Sequence, residues 1–414
     1  MIPFRARVAT REIIFVRHAE SQANLDGVWN GRTDGPLSEA GRASLPLLAS
    51  RLANWRFNRV ISSPLGRARQ TAESFADDLE IDESFIEIDL GEWEGRRFAE
   101  IQAEDGEVLK SAIASRSIPM GRTGESIDEA GQRAVAAVDK LFHELEDEER
   151  AVVVTHGGFL QSVLHRHLAG RERRAHAFTQ NTALTRVVWE FGRPRLANFN
   201  DDSHLGPSKM VAEHLGKGTP VLALVRHGRT KANVEGRWQG QGDWDLDELG
   251  HMQAEAFGEW YGRWSTVYTS PLRRAASTAE RVARNGVVEI DQLKELAMGD
   301  WEGLTTDEII QRWPGTMEKI YKDGIDLKRG RSGESWGELT RRFANAVYGL
   351  RPANGEPTVV VAHGGAIRSY VSSLTMTSDT HSESLNTPAN TSVTHVALTP
   401  EGPEILDYSV APHL

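Results

Sequence analysis

The sequence predicts an α/β protein: two tandem three-layer αβα domains, each with a mostly parallel sheet flanked by helices. Three observations predict it. The chain has 414 residues, too long for one ordinary core and comfortable for two. A series of short motifs occurs twice in the same order, at an offset that stays between 207 (274 − 67) and 209 (227 − 18). That period is far longer than a solenoid repeat, so each unit is a whole domain. Within each copy, short continuous apolar runs alternate with helix-period segments.

The elements follow in chain order. IIFV (13–16) and VLALV (221–225) read as buried parallel strands, each ending abruptly in Arg-His. RVISS (59–63) and TVYTS (266–270) are strands that lead through Ser-Pro-Leu into helices, with Pro64 and Pro271 expected in the first helical turn. Ser126 with Glu129, and Ser335 with Glu338, have capping-box spacing at a helix start. AVVVT (151–155) and TVVVA (358–362) are strands that end in His-Gly-Gly and run into apolar-periodic helices. The expected domains cover 1–205 and 219–414. Residues 206–218, in a stretch rich in Gly, Pro and polar residues, read as a linker.

Composition narrows the function. With 48 basic and 59 acidic residues the net charge is −11, which argues against a nucleic-acid partner. The chain has no cysteine, so disulfides and thiolate chemistry are absent. No apolar run approaches the roughly 18 residues of a membrane span, and the N-terminus has no signal-peptide pattern. No membrane partner and a cytoplasmic location are expected.

Ligands of open α/β sheets bind beyond the carboxyl ends of the strands. The repeated polar residues fall there: Arg17, His18, Arg67 and His156 in one half, Arg226, His227, Arg274 and His363 in the other, with Glu87 and Glu295 in the repeated ExxxGxWEG segment. Each is unremarkable alone. His-Gly-Gly is also a structural turn, the arginines are also surface charges, and an isolated Glu is usually solvated. Their recurrence in order, twice, is what coincidence does not supply. Arginine forks fit phosphate oxygens. Two of them with a protonated histidine would hold a phosphate group, beside a neutral imidazole able to attack phosphorus. A carboxyl group can then protonate the leaving oxygen and later activate water. The set needs no metal or other cofactor, and a small-molecule phosphate ester is the expected partner.

These motifs resemble the histidine phosphatase, or phosphoglycerate-mutase-like, superfamily. Arg226-His227-Gly228 is similar to its Arg-His-Gly signature, SPLxRAxxTA to the motif bearing its second arginine, and the late His-Gly-Gly to the motif of its second histidine. The resemblance implies that His18 and His227 become phosphorylated. It also implies that Arg17, Arg67 and His156, or Arg226, Arg274 and His363, hold the phosphoryl group, and that Glu87 and Glu295 are proton donors. Asn24 and Asn233 match a position near the substrate phosphate, and Arg237 resembles a further phosphate-proximal arginine. The first half departs from the pattern at Ala19, whose methyl group is expected to narrow the backbone turn without removing a catalytic group, and at Val28 where the second has Arg237, which puts its phosphate affinity or substrate range in question. The interval from acid to second histidine is 69 residues in the first half (156 − 87) and 68 in the second (363 − 295). That is short beside the family's mutases, so hydrolysis is expected over mutase activity. The alternatives are a phosphoglycerate-type mutase, one active domain with a second phosphate-sensing domain, or a metalloenzyme. The last is disfavoured because no histidine has a partner at metal-site spacing; His165 and His167 read as a solvated helix pair. Trp93 and Trp301, in the WEG segments, are expected to pack under the acid loop.

Overall fold

The computed structural model describes residues 10–168, 175–190, 192–321, 323–351, 355–375 and 384–413, with 166–168 as backbone only; the His167 side chain lies outside the described residues. The described chain divides into two units: 10–167 with 178–206, and 207–413 with 168 and 175–177.

The strands are β1 Arg11–Arg17, β2 Val28–Trp29, β3 Arg59–Ser62, β4 Glu80–Ile81, β5 Arg96–Arg97, β6 Arg150–Thr155, β7 Leu184–Glu190 and β8 Arg193–Asp201 in the first unit. Those of the second are β9 Val221–Arg226, β10 Val267–Thr269, β11 Val287–Glu289, β12 Thr358–Ala362, β13 Val393–Thr399 and β14 Gly402–Ile405. Each unit holds a six-stranded sheet, in order β4-β3-β6-β1-β7-β8 and β11-β10-β12-β9-β13-β14. The first four strands of each order pair in parallel; the fifth runs against them, and the last pairs antiparallel with the fifth.

The continuous apolar runs form the central strands because both sheet faces are covered. In the first unit, Ile14, Val16, Val152 and Val154 meet Leu48 and Leu52 of helix Glu39–Leu52 and Ala68 and Ala72 of helix Gly66–Ala72. On the opposite face Phe15 meets Phe159 of helix Gly157–Leu168. The second unit repeats the arrangement with Ala223, Val225, Val359 and Val361 against Phe257, Ala275 and Ala279. Register places the site: Arg17 lies opposite Thr155, and Arg226 opposite Ala362. Each Arg-His therefore leaves the sheet beside the following His-Gly-Gly.

The capping boxes at Ser126/Glu129 and Ser335/Glu338 are present. The two prolines are not in the first helical turn. The helices begin at Gly66 and Arg273, after N-caps Leu65 and Leu272. The Ser63 and Ser270 hydroxyls accept from those leucine N–H groups at 3.4 and 3.3 Å, which turns the chain first. The segment read as a linker contains the helix Lys209–Gly216. Its Met210, Val211 and Leu215 pack on Val221, Ala397 and Leu406 of the second unit, an apolar face that surrounding Gly and polar residues obscure in sequence.

Candidate active site

His18 and His227 are each 3% exposed. Their Nδ1 atoms lie 2.7 Å from the carbonyl oxygens of Ala19 and Gly228. A carbonyl only accepts, so Nδ1 carries the proton and Nε2 carries the lone pair. Burial, then the neighbouring Arg67 and Arg17 charges, hold the His18 imidazole well below its ordinary pKa; burial, Arg274 and Arg226 do the same for His227. Both rings are thus neutral, in one tautomer, with a nucleophilic nitrogen. Ala19 does not distort its turn. Its N–H donates to Thr71 Oγ1 at 2.9 Å, against 3.0 Å from Gly228 to Thr278.

The second histidine stands beside the first, with ring centroids 5.1 Å apart for His18/His156 and 5.2 Å for His227/His363. Nε2 of His156 bonds Ser63 Oγ at 2.6 Å, and Nε2 of His363 bonds Ser270 Oγ at 2.8 Å. The other ring nitrogen, Nδ1, is buried without a partner in both. The protonated second histidine expected from sequence is not what these surroundings favour. Burial, the first histidine and the two arginines hold His156 and His363 well below their ordinary pKa.

Arg67 donates to the carbonyls of Thr33 (2.9 Å) and Gly31 (2.7 Å), and Arg274 to those of Gly242 and Gly240 (2.8 Å each). Arg17 reaches Thr179 O and Arg226 reaches Pro388 O, both at 2.5 Å. Burial pushes Arg226 and Arg274 down to about 10, so they remain cations at neutral pH. The Nε atoms of Arg17, Arg226 and Arg274 are buried with no acceptor. A buried donor without an acceptor is costly, and here such donors surround the nucleophile.

Glu87 sits on the start of helix Gly157–Leu168. Its carboxylate accepts from the N–H groups of Gly158 and Phe159, each at 2.9 Å. Glu295 accepts from Gly365 N–H at 2.9 Å. This contact explains the two glycines. A Cβ on Gly158 would stand 2.6 Å from Glu87 Oε1, and one on Gly365 2.5 Å from Glu295 Oε1. The Glu-bearing loops are held by Arg133 and Arg342, which donate to the carbonyls of Glu87 (3.3 Å) and Glu295 (3.1 Å). Trp93 and Trp301 are buried, at 0% and 1% exposure; Trp93 packs with Ile88 and Leu90 of the segment that follows Glu87, and Trp301 lies against Trp238 and Trp313.

The structure brings Arg17, His18, Arg67, Glu87 and His156 together in one unit, and Arg226, His227, Arg274, Glu295 and His363 in the other. Asn24 and Asn233 cap short helices beside the nucleophile loop, accepting from Ser21 N–H (3.1 Å) and Thr230 N–H (3.0 Å). Arg237 is not brought in. Its Nε pairs with Glu235 (2.7 Å), and its NH1 bonds Gly303 O (2.8 Å) and Glu308 (3.2 Å). Val28 pairs with Arg97 in a separate two-stranded ribbon, so the Val28/Arg237 difference does not separate the two pockets.

Sequence reasoning passed over Ser63 and Ser270, and Asn181 and Asn390. The two asparagines donate to the backbone carbonyls of His18 (2.8 Å) and His227 (2.9 Å). All four lie inside repeated motifs, and that repetition was the available signal.

The chain is similar in sequence to proteins of known family. The histidine phosphatase superfamily (branch 1) matches the chain twice, over residues 13–202 and 222–411. An Arabidopsis thaliana metal-independent phosphoserine phosphatase is 35% identical over 165 residues, covering 38% of this chain and 69% of that protein. A Mycobacterium tuberculosis glucosyl-3-phosphoglycerate phosphatase is 37% identical over 167 residues, covering 37% and 74%. A Yersinia pestis protein described as a probable phosphoglycerate mutase is 32% identical over 186 residues, covering 43% and 85%. Among solved structures, Bacillus stearothermophilus YhfR is 27% identical, covers 47% of this chain and 99% of its own, and has a TM-score of 0.44. With the family matched over both halves and its histidines and arginines gathered in each, the chain belongs to the histidine phosphatase superfamily, branch 1, as a tandem pair of domains.

Proposed function

We propose that the chain is a phosphatase that hydrolyses small phosphate monoesters at two sites, each through a phosphohistidine. One observation carries the reading. In both units a buried, neutral histidine has its Nδ1 proton fixed on a carbonyl and its Nε2 free, beside guanidinium groups of which Arg17 in the first unit, and Arg226 and Arg274 in the second, have an Nε without an acceptor. An ester phosphate placed there would meet Arg17, Arg67 and His156, or Arg226, Arg274 and His363. Its dianion would reverse the local charge and favour a protonated second histidine.

His18 or His227 Nε2 forms a bond to phosphorus while the ester P–O bond breaks. The electron pair leaves on the alcohol oxygen, and Glu87 or Glu295 supplies its proton. Water then attacks phosphorus, the carboxylate takes a water proton, and the P–N pair returns to the imidazole. Positioning and charge stabilisation are the main contributions the protein makes to such a transfer. The phosphatase names of the relatives above support hydrolysis, and the short interval between acid and second histidine favours water as acceptor over a retained intermediate. The test is rapid mixing with a phosphomonoester, alkaline quench and mass spectrometry of the peptides. Phosphate on His18 and His227 is expected; phosphate on any other residue would overturn the assignment.

A further inference from the structure

The two copies share their catalytic groups and differ in what surrounds them. Five residues past the second histidine, one turn into the following helix, the first unit has Gln161 and the second Arg368. Three further motif positions differ: Met120 becomes Arg329, which adds a second cation, Ile127 becomes Trp336 and Phe178 becomes Thr387. In the first unit Met120 packs in an apolar cluster with Leu90, Trp93 and Ile101, and Phe178 is 56% exposed.

In the second unit these positions form a cationic file that begins at the catalytic pocket. The Arg368 guanidinium lies 4.8 Å from the Trp336 ring centroid and donates to Thr387 Oγ1 at 3.4 Å. Thr387 in turn lies over Gly364, where an added Cβ would meet Thr387 Cγ2 at 2.6 Å and Arg226 Nε at 3.1 Å. Thr387 therefore links Arg368 to the arginine beside the nucleophile. The Arg368 charge is felt at both Arg226 and Arg329. Among the described residues one carboxylate, Asp326, lies within 4 Å of the file, 3.7 Å from Arg329, and the catalytic Glu295 charge is felt at Arg226. The Nε atoms of Arg226, Arg329 and Arg368 are all buried without acceptors, and Arg329 is 2% exposed. The first unit's own extra cation, Arg32 where the second has Gln241, is neutralised by Glu125 (3.1 Å) and Asp89 (3.7 Å). Excess positive charge next to a phosphate pocket needs an anion.

We propose that the second site is built for phosphate monoesters carrying a second anionic group, which Arg368 binds with Arg329 behind it, while the first site takes esters whose remainder is uncharged. This rests on the phosphatase reading above and adds a substrate class to one of its sites. Arg368 is the specificity-determining residue; it takes no part in bond breaking.

The test uses the full chain with His18→Ala, leaving the second site alone active. Phosphate release is measured for three esters of similar size: glycerol 3-phosphate, 3-phosphoglycerate and propane-1,3-diol bisphosphate. The expected result is a kcat/KM ratio of charged-tail to neutral ester that falls about tenfold or more on Arg368→Gln and is partly kept by Arg368→Lys. A ratio that stays within about twofold overturns the proposal, because stacking on Trp336 would then be the residue's whole role. A fall for one charged ester alone identifies carboxylate or second phosphate as the group read.

Calorimetric titration of the same esters into the His18→Ala/His227→Ala chain, with and without Arg368→Gln, reads the preference without turnover. If the His18→Ala protein releases no phosphate from any ester, hydrolysis at the second site is wrong. Binding then still decides the anion site: loss of the charged-tail advantage supports it, and an unchanged advantage or none overturns it.

Discussion

Replacing Gly365 by Ala separates catalysis from folding at the second site. The new methyl carbon would sit 2.5 Å from Glu295 Oε1, almost 1 Å inside an ordinary carbon–oxygen contact of about 3.4 Å. The atom it meets is the end of a flexible side chain, so the strain is relieved by moving the carboxylate. That movement breaks the 2.9 Å bond from Gly365 N–H to Glu295 and displaces the proton donor by roughly 1 Å, a misplacement that can cost about 100-fold, or ~2.7 kcal/mol in the barrier. Stability should fall by only about 1 kcal/mol, the low end for an added methyl group. The assay is phosphate release by Gly365→Ala in the His18→Ala background, with a urea melt of the same protein. A kcat loss of about 100-fold with KM little changed and a near-parental melt is expected. A kcat within about threefold of the parent would refute the argument that Gly365 sets the position of a catalytic Glu295.

Three further outcomes follow from the geometry. Gly228→Ala should destabilise by about 1–3 kcal/mol in a urea melt, because its Cβ would lie 2.6 Å from the backbone oxygen of Gly250. Arg237→Ala should leave kcat/KM at the second site within about threefold, since its bonds go to Glu235, Gly303 and Glu308. In the substrate-free protein, burial lowers the pKa of His18, His156, His227 and His363, and pushes His204 down to about 4. The unfolded chain therefore binds more protons below about pH 6.5, and stability present above that pH is lost as pH falls, by up to ~1.4 kcal/mol per pH unit for each histidine. Urea midpoints from pH 7.5 down to 5 check the sign, and inorganic phosphate should reduce the slope.

The central strands and both catalytic sets were legible because sequence carries them strongly. IIFV and VLALV are apolar without interruption, and Arg-His and His-Gly-Gly follow strands that pair in register. Arg237 was misplaced because a charge next to a motif says nothing of its direction; here Glu235 and Glu308 claim it. The lowered pKa of His156 in the substrate-free protein was hidden for a related reason. Burial and two neighbouring guanidiniums become visible only when four segments converge. Ser63 and Asn181 were overlooked because a neutral polar residue has no chemical signature until its partner is known. The helix Lys209–Gly216 was hidden by the Gly-rich composition around it, although Met210, Val211 and Leu215 carry its apolar face.

The central claim is two working histidine nucleophiles in one chain. Phosphate release from a phosphomonoester panel, compared for the parent, His18→Ala, His227→Ala and the double variant, tests it most directly. The account predicts that each single variant keeps the activity of the other site and that only the double variant is inactive. Complete loss with either substitution alone, or activity surviving both, would contradict it.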